Sequence, residues 1–444
     1  MQLRSLAVAL LLLSPGSTTL AQSPEASAEL TRPRTVTPRM SQLPQVPAES
    51  PSPRPQPQTP EPTPAPESLA DPSLPATARP QSRESTGTDL ESNEVRTSRH
   101  FSPQAIRARI GEAERMFRSR PLPTAFTPSI EFVTIAALDQ TTARIHQVTL
   151  PKQVFLTKGS ELTVNSSLGT ALNVRILRAN GVNTAVTLFD PAGRSLAPLL
   201  VEFPIEKRGV FRELAYYTSA HPALLSPDLS RSGQAYVRMM VDLAAKRLRE
   251  KGILISPKIV DVAERLCLVE HVDHDRFRLE NRHELFHEIY SLFALNERDT
   301  YRYSVSSAGA GGMVQMIPWA YNLMRQRHPG VGLIPDFVVG MRNHGNALQA
   351  MLLYMNDTWN DLAANQEVQY ALNAKLATQT ELLAAGYNSN AAKLPLYLRR
   401  GGSSWRSLIP RETQMYLQIY KTFEGLVPMH KRSEFQSSSG ESRF

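Results

Sequence analysis

Sixteen of the 34 prolines in this 444-residue chain fall between residues 22 and 80. Proline fixes φ and removes a backbone donor, so a segment this rich in it builds neither a helix interior nor a central strand. The prolines are interleaved with Ser, Thr, Gln, Ala and isolated charges, and the first hundred positions contain no Phe, Trp or Tyr. Such a composition buries too little apolar surface to offset the entropy of ordering. Residues 22–98 therefore read as a disordered, partly extended Pro-rich tether, and the core must be built beyond it. The Ser-rich end, 433–444, reads as a disordered tail.

Ahead of the tether, residues 1–21 carry Arg4, an apolar run from Leu6 to Leu13, a Ser14-Pro15-Gly16 break, and small residues Thr19 and Ala21. This is the pattern of a secretory signal peptide cleaved near Ala21, and it predicts a periplasmic or secreted protein. The run is too short to cross a bilayer, and no later stretch approaches the ~20 apolar residues a spanning helix needs, so no membrane span is expected. The lone cysteine, Cys267, excludes an intramolecular disulfide and any cysteine-based metal cluster. It reads as a buried, inert thiol inside a helix.

Charge is uneven. Residues 22–100 hold 8 basic and 10 acidic side chains, whereas 101–444 hold 40 and 31. A basic folded part suits an anionic partner, whether nucleic acid, a membrane surface or an acidic cell-wall polymer, and it equally suits plain solubility. Export argues against nucleic acid.

From 128 to 215 the pattern is strand-like. Leu172, Val174 and Ile176 alternate with polar residues, Asn180-Gly181 is a hairpin signal, Val186 and Leu188 resume the alternation, and Asp190-Pro191-Ala192-Gly193 turns the chain again. This predicts a small β-rich domain that scaffolds, positions substrate or meets a cell-envelope protein partner. From 230 to 427 the pattern is helical. Ser256-Pro257 is a helix start, and Ile259, Val262, Ala263, Leu266 and Glu270 then fall on one face, since eleven residues make close to three turns. Further helices are expected at 318–327, 338–363, 367–385 and 411–424. The fold class is α+β: a mainly helical domain preceded by the β-rich domain and the tether.

Glu270 ends an apolar stripe. A carboxyl on an inward face loses hydration in its charged form, so its pKa rises, and a carboxylic acid still protonated near neutrality can serve as a general acid on a glycosidic oxygen. A structural acid paired with Arg or Lys would look the same. The second feature runs from Ser306 to Pro318, SSAGAGGMVQMIP, where five consecutive Ala or Gly residues permit close approach of backbone to a ligand. Gln315 offers a donor and an acceptor to sugar hydroxyls or amides, and Pro318 opens a helix. No Gly-Lys-Ser/Thr follows, so this is not a phosphate loop. The third feature is Tyr387-Asn388 closing a helix, and the fourth is PRETQMYLQIY from Pro410 to Tyr420.

Together and in this order, these four landmarks, spread over about 255–425, resemble the catalytic domain of the soluble lytic transglycosylases, which share the goose-type lysozyme fold. That family has an acid at a helix end, then Ser-x-Ala-Gly-Ala-x-Gly-Leu-Met-Gln-x-Met-Pro, Ala-Tyr-Asn, and Glu-Thr-x-x-Tyr. The chain matches at Glu270, at Ser306, Ala308, Gly309, Ala310, Gly312, Gln315 and Pro318, at Tyr387 and Asn388, and at Glu412, Thr413 and Tyr416. The resemblance implies a lysozyme-like helical domain that cleaves the β-1,4 bond between N-acetylmuramic acid and N-acetylglucosamine in peptidoglycan, leaving 1,6-anhydromuramyl ends. It implies Glu270 as the single acid/base, and Ser306, Gly309, Ala310, Gln315, Tyr387, Asn388 and Tyr416 as the residues holding the glycan strand, with no cofactor. A hydrolase of the ordinary kind needs a second carboxylate across the bond, and Asp273 and Asp275 follow Glu270 too closely to be placed there. The chain departs from the family in three places: His271 stands where Ser usually follows the acid, the link from Glu270 to Ser306 is lengthened by an insertion at 271–303, and no glycine follows Tyr387-Asn388.

The insertion contains His283-Glu284-Leu285-Phe286-His287, a literal H-E-x-x-H, which on a helix puts two imidazoles on one face for zinc. A zinc-dependent peptidase would use His283 and His287 as ligands and Glu284 as base. It also needs a third ligand, and Phe293 stands where a histidine would be wanted, with Glu297 or Asp299 only loosely placed. The preferred reading is an amphipathic insert whose Leu285, Phe286, Ile289, Tyr290 and Phe293 pack on the core. A module that binds peptidoglycan without cleaving it is the remaining alternative.

Overall fold

Alternation builds the sheet. In β1 (Phe132–Leu138), Val133, Ile135 and Ala137 face one way and Thr134, Ala136 and Leu138 the other, and all six are buried, so both faces of the strand are covered. The strands that follow are β2 (Ile145–Pro151), β3 (Glu161–Asn165), β4 (Ala171–Arg178), β5 (Ala185–Phe189), β6 (Ser195–Lys207) and β7 (Val210–Tyr217). Their order is β2-β1-β6-β5-β4-β3, with β7 also on β6, and neighbours are antiparallel. The long β6 is shared: Leu196 faces Leu188 of β5, Ala197–Glu202 lie beside β1, and Val201–Lys207 lie beside β7. A register shift at Ala136/Ala137 falls where Pro198 pairs, the kind of irregularity that lets a strand change partners. At the far edge Ser167 donates its N–H to the Gln147 carbonyl of β2 at 2.8 Å, leaving the sheet nearly closed.

The computed structural model describes residues 102–120, 129–306 and 308–433. The expected signal peptide, the tether and all but the first residue of the expected tail lie outside them. The described residues fall in one compact unit.

Val133, Ile135, Val148, Leu172, Val174 and Leu188 fill the interior of the sheet. Helix α1 (Pro103–Arg118) covers its outer face, setting Ile106, Ala113 and Phe117 against Leu138, Leu199 and Leu200. It starts with the same Ser-Pro signature as the later helices: Ser102 caps it and Pro103 opens it. One short turn, α2 (Lys152–Phe155), follows β2.

The helical part begins with α3 (Pro227–Glu250), capped by Ser226, and α4 (Pro257–Val269), capped by Ser256 as its sequence predicts. The insertion folds as α5 (His274–Leu279) and α6 (Arg282–Asn296). Then come α7 (Pro318–Arg327), α8 (Phe337–Arg342), α9 (His344–Ala363), α10 (Gln366–Asn373), α11 (Gln379–Asn388), α12 (Leu394–Gly401) and α13 (Arg411–Leu426). The helix expected over 338–363 is two helices, because Asn343 leaves the helical conformation and caps Asn346. That expected over 367–385 also divides, at a capping box formed by Thr378 and Glu381. Helix α9 runs through the middle, buried along nearly all of its first three turns, and Cys267 is buried beside the same core. No helix among the described residues is long and apolar enough to cross a membrane.

The insertion joins the two parts. From α6, Phe286, Ile289 and Phe293 enter the helical core while Leu292 enters the sheet core, a burial that contributes about 2 kcal/mol for that side chain. Helix α3 crosses α6 so closely that a Cβ on Gly233 would overlap the Tyr290 carbonyl.

Candidate active site

Glu270 terminates α4 as its C-cap, where the apolar stripe of the helix delivers it. Tyr416, one and a half turns into α13, donates its hydroxyl to Glu270 Oε1 at 2.5 Å. The residue as a whole is half-buried, and protein crowds its carboxyl. Burial pushes its pKa up to about 8, the Tyr416 hydrogen bond opposes the rise, and the charge of Glu412 adds to it. Tyr416 is itself buried, which raises its own pKa well above the usual range, so it acts only as a donor. With Oε1 accepting from that phenol, the carboxyl proton belongs on Oε2.

The Ala/Gly loop forms a tight turn bonded to itself. Ser306 exchanges backbone bonds with Ala310 and Gly309 at 2.8 and 2.9 Å and accepts from the Ala310 N–H on its Oγ at 3.0 Å. Gly311 bridges both Val305 and Met316. Gly312 has φ +68°, and a Cβ there would overlap the Met341 carbonyl, so this position requires glycine twice over. Gln315 also has positive φ, +45°, an uncommon conformation for a residue with a side chain. Its amide NH₂ donates inward to the Gly312 carbonyl at 2.7 Å and Ser304 Oγ at 3.2 Å. The polar groups of Ser306 and Gln315 thus build the loop.

Two side chains pin this loop from outside. His271, next to the acid, donates Nε2–H to the Met313 carbonyl at 2.9 Å, and Tyr387, from the last turn of α11, donates its hydroxyl to the Val314 carbonyl at 2.7 Å. Burial drives the His271 pKa down to about 3, so the ring is neutral. Asn388 closes the same helix as Tyr387, with Oδ1 buried and without a hydrogen-bond partner. Helices α4, α11 and α13 meet, and there Tyr416 bonds Glu270 while His271 and Tyr387 hold the Met313 and Val314 end of the loop that carries Ser306, Gly309, Ala310 and Gln315. Two apolar side chains flank the loop in the open, Val305 at 70% and Trp319 at 64% exposure.

Other acidic neighbours are occupied. Asp273 caps α5, accepting from the Asp275 and Arg276 N–H groups, and Asp275 pairs with Arg278 on the surface. In the H-E-x-x-H segment, Leu285, Phe286, Ile289, Tyr290 and Phe293 are buried, His283 and Glu284 are exposed, and the two imidazole Nε2 atoms lie 3.1 Å apart. Among the described residues no group of three or more His, Cys, Asp or Glu could hold a metal ion. A cavity of about 310 Å³ lies elsewhere, between α1, β7 and the end of α6, and its Glu213 and Arg118 are already paired with Arg342 and Glu114.

Sequence reasoning passed over His271 as a loop anchor and Trp319 as a flanking aromatic. The adjacency of His271 to the acid and of Trp319 to Pro318 were the available signals. Comparison with protein-family models, curated proteins and solved structures finds no match to this chain.

Proposed function

We propose that this protein is a lytic transglycosylase with a lysozyme-like catalytic domain, acting outside the cytoplasm on the glycan strands of peptidoglycan. The observation that carries the reading is a crowded Glu270 carboxyl accepting the Tyr416 hydroxyl, its pKa raised by burial, beside a Gly-rich loop that Tyr387 of the resembling motifs holds. In the reaction Glu270 gives its Oε2 proton to the β-1,4 glycosidic oxygen as the bond from the muramyl anomeric carbon to that oxygen breaks. The resulting carboxylate takes the proton of the muramyl 6-hydroxyl, whose oxygen bonds to the anomeric carbon. No water is consumed, the product is a 1,6-anhydro sugar, and Glu270 returns to its protonated form. One acid/base suffices, in keeping with Asp273 and Asp275 being engaged elsewhere. Trp319, exposed at the end of the loop, suits stacking against a sugar ring. The open acidic and imidazole groups of α6 lack a third metal ligand among the described residues, so a peptidase gains no support from them.

The test is digestion of purified peptidoglycan by the full chain and by Glu270→Gln, with products resolved by mass spectrometry. Anhydromuropeptides released by the wild type and absent with the variant are the expected result. Intact glycan strands with both proteins, alongside co-sedimentation with sacculi, would replace the enzyme with a binding module.

A further inference from the structure

The insertion takes the place of a short link between the acid and the loop, and its ends are tied to both. At one end His271 leaves α4 directly after Glu270. At the other, Tyr301 lies flat on the His271 ring, with centroids 3.4 Å apart and planes within 1°. Tyr301 packs against the helical core and the sheet core alike. The segment between them is fastened to the sheet: Glu288 holds Arg276 through two bonds of 2.8 and 2.7 Å and meets Arg178 of β4 at 3.3 Å, and Asn296 exchanges two 2.8 Å bonds with the Thr218 backbone just beyond β7.

We infer that His271 is a positioning residue that sets the Ala/Gly loop against the acid and draws its own position from Tyr301, so that the insertion anchors the loop to the β sheet. The ring is half-buried and neutral, so it contributes no charge to the site and no proton to a reaction near neutrality. What it supplies is a donor to the Met313 carbonyl, one residue from the carbonyl that Tyr387 holds. Two adjacent carbonyls, one held from just beyond the end of α4 and the other from the last turn of α11, define where the preceding turn can sit. The stacked tyrosine fixes the imidazole plane and hence the direction of that donor. Placement of this kind governs how often reacting groups meet in productive geometry.

The functional part of this inference rests on the glycan-cleaving reading, and the test separates the two. In the full-length chain, His271→Phe keeps a ring for Tyr301 but removes the donor, whereas His271→Gln supplies a donor at a similar reach without the ring. Amide hydrogen exchange is followed for peptides covering 304–317, with α9 as internal reference. Losing one buried hydrogen bond corresponds to about tenfold faster exchange. We expect His271→Phe to show that increase in the loop with α9 unchanged, and His271→Gln to recover most of the protection. Loop exchange at the wild-type rate in His271→Phe, or equally fast exchange in His271→Gln, would overturn the anchoring role. With peptidoglycan as substrate, kcat should fall in His271→Phe and recover in His271→Gln while KM stays close to its original value. Loss through KM alone would make His271 a binding residue instead. If the wild type cleaves no glycan, the enzymatic reading fails and the exchange result still decides the anchor.

Discussion

A carboxyl that keeps its proton to about pH 8 alters stability as well as reactivity. The unfolded chain releases that proton near the ordinary glutamate value, so between about pH 4.5 and 8 the folded state binds more protons than the unfolded one. Stability contributed by Glu270 is therefore complete at low pH and is lost as pH rises through about 8. Glu270→Gln mimics the neutral form and should be the more stable protein at pH 9, by about 2 kcal/mol once the full shift is discounted for a residue that is only half-buried. The gap should close by pH 4. Urea midpoints measured across that range check this, and a gap independent of pH would show that burial does not hold the proton on. Under the proposed glycan-cleaving function, the same group predicts activity that declines as pH passes 8, because the acid is then spent as carboxylate. Glu270 was legible in the sequence because its signal is local, a stripe that ends in an acid. The role of His271 was not, since its partners Tyr301 and Met313 lie 30 and 42 residues onward.

Among the elements, α6 packs on both cores and lies directly against α3. Its crossing with α3 depends on Gly233 having no side chain, so Gly233→Ala must push the helices apart or distort the Tyr290 backbone. We expect a loss of about 2 kcal/mol, in the range of overpacked cores. Gly425, in the last turn of α13, has nothing within 4 Å of where a Cβ would sit, and Gly425→Ala should be neutral or stabilising by up to about 1 kcal/mol. Thermal or urea unfolding of the two variants side by side tests whether close approach, rather than helix propensity, sets the effect; equal shifts would sink the idea. Helix starts at Ser256 and Pro318 could be read directly, because caps act over three or four residues. The breaks at Asn343 and before Thr378 carried equally local signals, an Asx cap and a Thr-x-x-Glu box, but the apolar period continues across both and masked them.

On the scale of the molecule, the sheet and the helices share α6. Leu292 belongs to one core and Phe293 to the other, and Arg178, Glu213 and Thr218 of the β region bond to groups on the insertion or on α8. Such sharing predicts one cooperative unfolding transition for the described region, followed identically by tyrosine fluorescence and far-ultraviolet circular dichroism; two resolved transitions would show that the parts are independent domains. Residue order alone was enough for the α+β class, the strand alternation, the Ser256 cap, the buried Cys267 and the burial of Leu285, Phe286, Ile289, Tyr290 and Phe293, since each rests on periodicity or on contacts a few residues apart. That α6 is buried on two sides, with Leu292 and Phe293 in different cores, corrects the expected amphipathic helix. Which side chains meet at the site is another matter. Tyr416 reaches Glu270 across 146 residues and Tyr387 reaches Val314 across 73, distances over which sequence spacing carries no geometry. The insertion's position as a strut, the neutral His271 on its Tyr301 platform and the raised pKa of Glu270 arise from packing, because burial and the direction of a hydrogen bond exist only once distant segments have closed around them.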